Sequence, residues 1–341
     1  MKIGFICSNY SLNTDGIGNY SARLVERLKD DNRNDVVVFS SKMDNDSNLR
    51  LFTSLKMTRA IINSLTSNVD AFVIEYPFME KSVIVILAFI LLKIYSVRLK
   101  KKIILSVHEY VRVNKLRRFL IDFLTHYIAD VLFVTDEKTK SLLDKHCKTC
   151  CIREIPGNIT IDPNFDNINS KVDGRFVFFG LISTTKAYNE MIQAWKVFHK
   201  SNKGTTLYIL TSSPVENVPE DLSIKIIRNL DSFGIAREMC RAKYAICPIL
   251  PEIGTNNATL KVSIDSLCIP IGKFSKEIES DAFVCCKNYS VEELCRSLES
   301  AYHFDATTLK AKYDLLKTMK AGLPTFTKVA QLYLSHLTEN R

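Results

Sequence analysis

Short runs of apolar and β-branched residues alternate along the chain with segments whose apolar positions recur every three to four residues. The first pattern predicts strands over residues 2–7, 35–39, 71–74, 102–107, 131–135 and 151–155. The second predicts helices over 20–29, 57–65, 83–95, 116–129 and 137–146. The stretch DPNFDNINSKVDG, residues 162–174, has no apolar period and reads as a linker. Beyond it the alternation resumes, with strands over 176–179, 206–210, 224–227, 244–248, 269–272 and 283–285. Helices are predicted there over 189–200, 232–241, 258–267 and 291–302. Parallel neighbours need a crossover, and an amphipathic helix supplies it while covering the sheet. The expected class is therefore α/β, with two Rossmann-like, doubly wound domains over 1–165 and 175–322. The terminal stretch 323–341 contains an amphipathic helix at 326–337, and the first domain is one surface on which it can pack.

Composition narrows the partners. Of the 341 residues 46% are apolar and 24% charged, the ordinary range of globular domains. Lys and Arg outnumber Asp and Glu by 46 to 37, and the net charge of +9 suits an anionic partner: a nucleotide, a phospholipid surface or a nucleic acid. The densest basic clusters, Lys100-Lys101-Lys102 and Arg117-Arg118, carry no interleaved stacking aromatics, so nucleic acid is not expected. The opening MKIGFICSNY is too short in apolar length for a secretory signal, and ten cysteines without one suggest free thiols in a reducing cytoplasm. The run VIVILAFILL, 83–92, is half the ~20 residues that span a bilayer. It fits a buried helix between strands, or one that docks on anionic lipid through the basic residues after it.

The stretch TDGIGNYSARLVERL carries Gly16 and Gly18. A dinucleotide fingerprint would put its first glycine at the end of the first strand and an acid after the second. Here Cys7 ends the first strand nine residues before Gly16, and Phe39 is followed by Ser40, Ser41 and Lys42, so that reading fails. What remains is a glycine pair at a helix start, either a plain turn or an anion site formed by free N–H groups.

Six segments in order, GIGNYSARLVERL, IILSVHEY, LFVTDEKTKSLL, IREIPGNITID, FVFFGLISTTKAYNEMIQAW and NNATLKVSIDSLCIPIG, resemble retaining glycosyltransferases of the GT-B fold, most closely the family-four type. The resemblance implies two Rossmann-like domains facing an interdomain cleft. It also implies a nucleotide diphosphate sugar as co-substrate, with no other cofactor. By the same resemblance Gly16 and Gly18 would lie near the donor phosphates, and Lys186, six residues after Gly180, would hold the diphosphate. Asn256, Asn257 and Thr259 would offer a helix start to the second phosphate, and Glu252 is the candidate for a donor-site glutamate. His108 would bond the sugar or steady developing charge, while Glu109 orients the acceptor. Each has a plainer structural reading: a solvated loop lysine, helix caps, a satisfied core histidine.

Two departures stand out. Leu181-Ile182-Ser183 replaces the arginine that commonly joins the lysine, and no glutamate lies eight positions from Glu252, where Leu260 stands. Counting back from Pro270 puts Thr255 and Ser263 where the family has its glutamate pair. The acceptor implied is a saccharide or lipid-linked saccharide of cell-surface polysaccharide synthesis, at the cytoplasmic face of a membrane. A sugar-nucleotide epimerase of the same fold and a catalytically silent scaffold are the alternatives. No metal site is expected. The run His146-Cys147, Cys150-Cys151 lacks the second knuckle of structural zinc, and Asp44-Asn45-Asp46 has no strand-end context.

Overall fold

The computed structural model describes residues 1–10, 16–30, 33–40, 56–78, 82–110, 113–159, 161, 168–215 and 220–338. Asp44–Asp46 and residues 162–167 of the expected linker lie outside them, while the rest of that linker holds a 3-10 turn at Ile168–Ser170 and a strand that begins at Val172. The chain divides into two compact units, Met1–Ile155 with Pro324–Arg341, and Pro156–Leu323. The second unit begins before the expected linker because Ile159 and Ile161 are buried in its core.

The first unit is built on a parallel sheet of β1 (Lys2–Cys7), β2 (Asp35–Ser40), β3 (Ala71–Tyr76), β4 (Lys102–Val107), β5 (Val131–Val134) and β6 (Cys150–Ile152), in the order β2-β1-β3-β4-β5-β6. The chain winds outward from β1 to β2, then crosses back to β3, so the winding reverses between β1 and β3. Such switch points, at the carboxyl ends of strands, are where open α/β sheets place ligands. All six residues of β3 are buried because helices cover both faces of the sheet. On one face Ile6, Phe72, Ile74 and Leu105 pack with α2 (Lys56–Leu65), α3 (Val83–Arg98) and α4 (Lys115–Phe123). On the other, Phe5, Val73, Ile104 and Phe133 pack with α1 (Gly16–Lys29) and the terminal α11 (Phe326–Thr338). Neighbours in sequence thus go to opposite faces, as strand pleating requires.

The second unit repeats the plan with β7 (Val172–Phe179), β8 (Thr206–Thr211), β9 (Ile224–Arg228), β10 (Ala242–Ile246), β11 (Ile269–Gly272) and β12 (Val284–Cys285), in the order β12-β11-β10-β7-β8-β9. Its helices are α6 (Tyr188–Ser201), α7 (Ser232–Arg241), α8 (Ala258–Asp265), α9 (Val291–Tyr302) and α10 (Ala306–Ala321). Trp195, Phe176 and Phe198 form the centre of its core, with ring centroids 5.3 to 5.5 Å apart.

Four departures from the sequence reading have physical causes. Strand β3 runs two residues past 74, through a buried Glu75 that looks like a strand end in a one-dimensional pattern. Helix α1 starts at Gly16 and not at Tyr20, so the glycine pair sits in its first turn. Helix α4 ends at Phe123 and widens into a π turn at Leu124–Ile128. Helix α10 has no counterpart in the reading because it buries only Tyr313 and Leu316; Asp305 caps it by accepting from Thr308 N–H at 2.7 Å.

Candidate functional site

In the first unit, parallel register lines up the carboxyl ends of the strands. Cys7 lies opposite Glu75, and Glu75 opposite Ser106, so His108 follows just beyond the end of β4. Arg153 follows β6 directly. Glu75 and Arg153 are fully buried, and the His108 side chain is 9% exposed. His108 Nε2 lies 2.7 Å from Glu75 Oε2, and Tyr333 of α11 donates its hydroxyl to Glu75 Oε1 at 2.7 Å. Tyr20 of α1 packs edge-on against the His108 ring at 4.9 Å, and the Arg153 guanidinium lies 4.4 Å over the Tyr20 ring.

A buried carboxylate is expensive unless it is paired and hydrogen-bonded. Burial alone would raise the Glu75 pKa, but the Arg153 charge and the His108 and Tyr333 hydrogen bonds outweigh it and hold it below the ordinary value. Burial and the Arg153 charge push His108 down against the pull of Glu75, so the imidazole is neutral near pH 7. Glu75 is ionised and accepts, hence Nε2 carries the proton. Arg153 Nη2 stands 3.4 Å from that nitrogen and opposes a second proton on the ring. Nδ1 is left with its lone pair and no partner among the described residues. Arg153 Nε and Nη1 meet no well-oriented acceptor among the described residues, although Tyr20 and Tyr333 act on the guanidinium electrostatically. The cluster can therefore offer a fixed acceptor at His108 Nδ1. Glu109 beside it is exposed, and Gly18 is buried in the first turn of the helix that carries Tyr20.

In the second unit, β7 ends at Phe179 and Gly180 turns the chain with φ +124°. The loop that follows is stitched to the segment after β10. Leu250 N–H donates to Thr185 O at 2.8 Å, Ala187 N–H to Pro248 O at 2.8 Å, and Lys186 bridges Ile249 in antiparallel fashion. These bonds aim Lys186 back over the end of β7, with its Nζ 4.9 Å from the Phe178 ring centroid. A Cβ on Gly180 would lie 2.6 Å from Nζ and 3.7 Å from Thr259 Oγ1. Gly180, Lys186 and Thr259 thus come together, and the positive φ of Gly180 is what calls for a glycine there.

Burial lowers the Lys186 pKa to about 8, with the Cys247 thiol opposing slightly. Among the described residues no carboxylate or hydrogen-bond acceptor engages this ammonium. Asn257 caps α8, its Oδ1 accepting from Leu260 N–H at 2.9 Å. The N–H groups of Ala258 and Thr259 have no partner among the described residues and point out of the helix start. A desolvated cation beside two open N–H groups is an anion receptor. Asn256 is half-buried in the turn before the cap. Glu252 stands apart from this group in its pairing: Lys273 Nζ approaches its carboxylate at 3.8 Å.

No protein-family model matches the sequence, and no curated protein sequence matches it either. Solved structures do. WaaG, a glycosyltransferase involved in lipopolysaccharide biosynthesis, superposes with a TM-score of 0.66 at 12% identity, over 99% of this chain and 100% of its own. An alpha,alpha-trehalose-phosphate synthase (UDP-forming) from Burkholderia vietnamiensis gives 0.67 at 8% identity, over 99% of each. The chain has the GT-B fold. A protein assigned as a UDP-N-acetylglucosamine 2-epimerase, from Listeria monocytogenes, is also similar, with a TM-score of 0.61 at 13% identity over 100% of this chain and 97% of that one.

Within the GT-B frame both clusters lie at the carboxyl ends of their own sheets. Sequence reasoning reached His108, Gly180, Lys186 and Thr259, and missed Glu75, Arg153, Tyr20 and Tyr333. One signal was present: Glu75 is a lone charge inside the otherwise apolar run AFVIEY, and Arg153 continues the apolar CCI of a strand-like run, beside Glu154. A charge there must be paired if the run is buried.

Proposed function

We propose that the protein is a glycosyltransferase of the family-four type that takes a nucleotide diphosphate sugar as donor. The observation that carries this is the half-buried Lys186 ammonium, without an anionic partner among the described residues, next to Gly180 and the open N–H groups of α8. Departure of the nucleotide diphosphate builds negative charge on phosphate oxygens, and a preorganised cation with N–H donors stabilises that charge where it forms. Lys186 supplies the cation, while Ala258 and Thr259 supply the donors. Asn256 borders the same turn, and Gly16 and Gly18 open a second helix start, in the first unit. His108 Nδ1 accepts from a sugar hydroxyl, and Glu75 holds the ring in the tautomer that permits it. Transfer proceeds with retention, Glu109 orients the acceptor, and Glu252 reaches donor hydroxyls when it leaves Lys273.

The acceptor is a saccharide or lipid-linked saccharide, and the protein works at the cytoplasmic face of an anionic membrane. Among the described residues no helix is long and apolar enough to cross a membrane. Helix α3 nevertheless exposes Ile84, Leu87, Leu91 and Ile94 as one stripe, and ends in exposed Arg98, with exposed Lys100 two residues beyond. An apolar face with a basic border suits the interface of anionic lipid.

A thermal-shift panel of UDP, GDP, other nucleoside diphosphates and their sugars tests the reading, because selective binding raises the melting temperature. Binding of none of them would refute it. The likeness to the Listeria epimerase favours one second reading, isomerisation of the donor without an acceptor. Incubating the bound nucleotide sugar alone, then analysing the sugar released or altered, separates the two.

A further inference from the structure

The fold splits the C-x-x-C-C run, and the split makes a cluster the linear spacing does not show. Helix α5 (Glu137–Leu143) ends in a 3-10 turn at Asp144–His146, and the chain returns to the sheet edge as β6 (Cys150–Ile152). Strand pleating sends Cys150 and Cys151 to opposite faces. Cys151 Sγ faces His336 Nε2 of α11 at 3.5 Å. His146 turns toward His126, with ring centroids 6.1 Å apart. Cys150 instead faces back to the turn, where Asp144, Cys147 and Cys150 place one carboxylate oxygen and two sulfurs all within 4.8 Å of one another. Among the described residues no other group of three or more such ligands has this spacing.

We propose that Asp144, Cys147 and Cys150 bind a thiophilic divalent cation, Zn²⁺, with the fourth tetrahedral position taken by water. Zinc–sulfur bonds of ~2.3 Å and zinc–oxygen bonds of ~2.0–2.2 Å put tetrahedral ligand atoms roughly 3.5–3.8 Å apart. The three atoms, all within 4.8 Å of one another, therefore need to draw in by at most about 1.3 Å. The two thiols are half-buried and Asp144 is exposed, so an ion can reach them from solvent. On binding, each thiol loses its proton to water as its sulfur–zinc bond forms, the carboxylate donates an oxygen lone pair, and no electron is transferred. Two sulfurs and one oxygen favour zinc over magnesium or calcium, which take oxygen ligands. The ion would clip the turn after α5 to the edge strand, three residues before Arg153.

The test uses the full chain, fully reduced under anaerobic conditions. Competition with a chromophoric chelator measures Zn²⁺ affinity and stoichiometry, and Co²⁺ reports ligand type through thiolate charge-transfer and tetrahedral d–d bands. The expected result is one metal per chain, a cobalt spectrum with thiolate bands, and a melting temperature that rises with Zn²⁺. Cys147→Ser/Cys150→Ser should lose at least about a hundredfold in affinity, and Asp144→Asn about tenfold, if these are the ligands. Cys151→Ser and Cys285→Ser should bind as the parent does, with circular dichroism confirming that each variant is folded. Equal affinity in the double variant, or no stoichiometric binding, would overturn the proposal.

Discussion

Replacing Lys186 with methionine keeps the aliphatic stem over Phe178 and removes an ammonium that the unliganded fold disfavours. Burial brings the lysine from its ordinary 10.5 to about 8. At about 1.4 kcal/mol per tenfold change, that difference corresponds to roughly 3 kcal/mol, and partial exposure to water reduces it to about 1–2 kcal/mol. Lys186→Met should therefore make the free protein more stable at pH 7, by about 2–6 °C in melting temperature for a domain of this size. The pH dependence gives the argument its sign. Below pH 8 the folded and unfolded chains both carry the proton, and the parent bears the full penalty. Between about 8 and 10.5 the folded chain has released its proton while the unfolded chain keeps it, so the parent gains stability relative to the variant as pH rises. The advantage of Lys186→Met should be greatest near pH 7 and fade toward pH 10. The same substitution should weaken nucleotide-sugar binding by about 10- to 100-fold, the loss of one charge-assisted hydrogen bond. Urea unfolding at a series of pH values, with calorimetric titration of the best nucleotide from the panel, measures both. A variant less stable than the parent at pH 7, with a pH-independent gap, would refute the reasoning: the ammonium would then have a structural anion partner.

Other expectations follow from the same geometry. Glu75→Gln strips the buried Arg153 of its carboxylate and should cost about 3–5 kcal/mol in urea unfolding. In the parent, the depressed Glu75 pKa contributes stability above the ordinary value of 4.5, and that contribution should be lost as pH falls through the lower folded value. Gly180→Ala meets a φ of +124° and puts a methyl group 2.6 Å from Lys186 Nζ, so it should lower stability by about 1–3 kcal/mol and reduce nucleotide binding with it. Leu87→Glu with Leu91→Glu, both exposed on α3, should abolish co-sedimentation with anionic vesicles while leaving the melting temperature within about 2 °C of the parent.

Several site features were legible because they are local. Lys186 follows Gly180 by six residues, and the turn between them is read directly from GLISTTK. Asn257 announces its cap by standing just before an apolar helical period. His108 ends a clear strand-like run. The glycine pair misled at its edge, because two glycines argue against helix although their place in the first turn of α1 is tolerated. Glu75 was hidden for the opposite reason: a carboxylate closes an apolar run in one dimension, and only its partners make it compatible with burial.

By itself, the order of residues determined the alternation of strand and helix, and with it two parallel sheets, since pleat and helical turn repeat over two to four positions and are encoded by immediate neighbours. Tertiary structure alone decided which side chains meet. Tyr333 reaches Glu75 across 258 residues, Arg153 meets Tyr20 from a different strand end, and Cys150 parts from Cys151 to join Asp144. Those encounters depend on strand order and on where the last helix packs, which are properties of the assembled sheet and its covering layers and have no period along the chain.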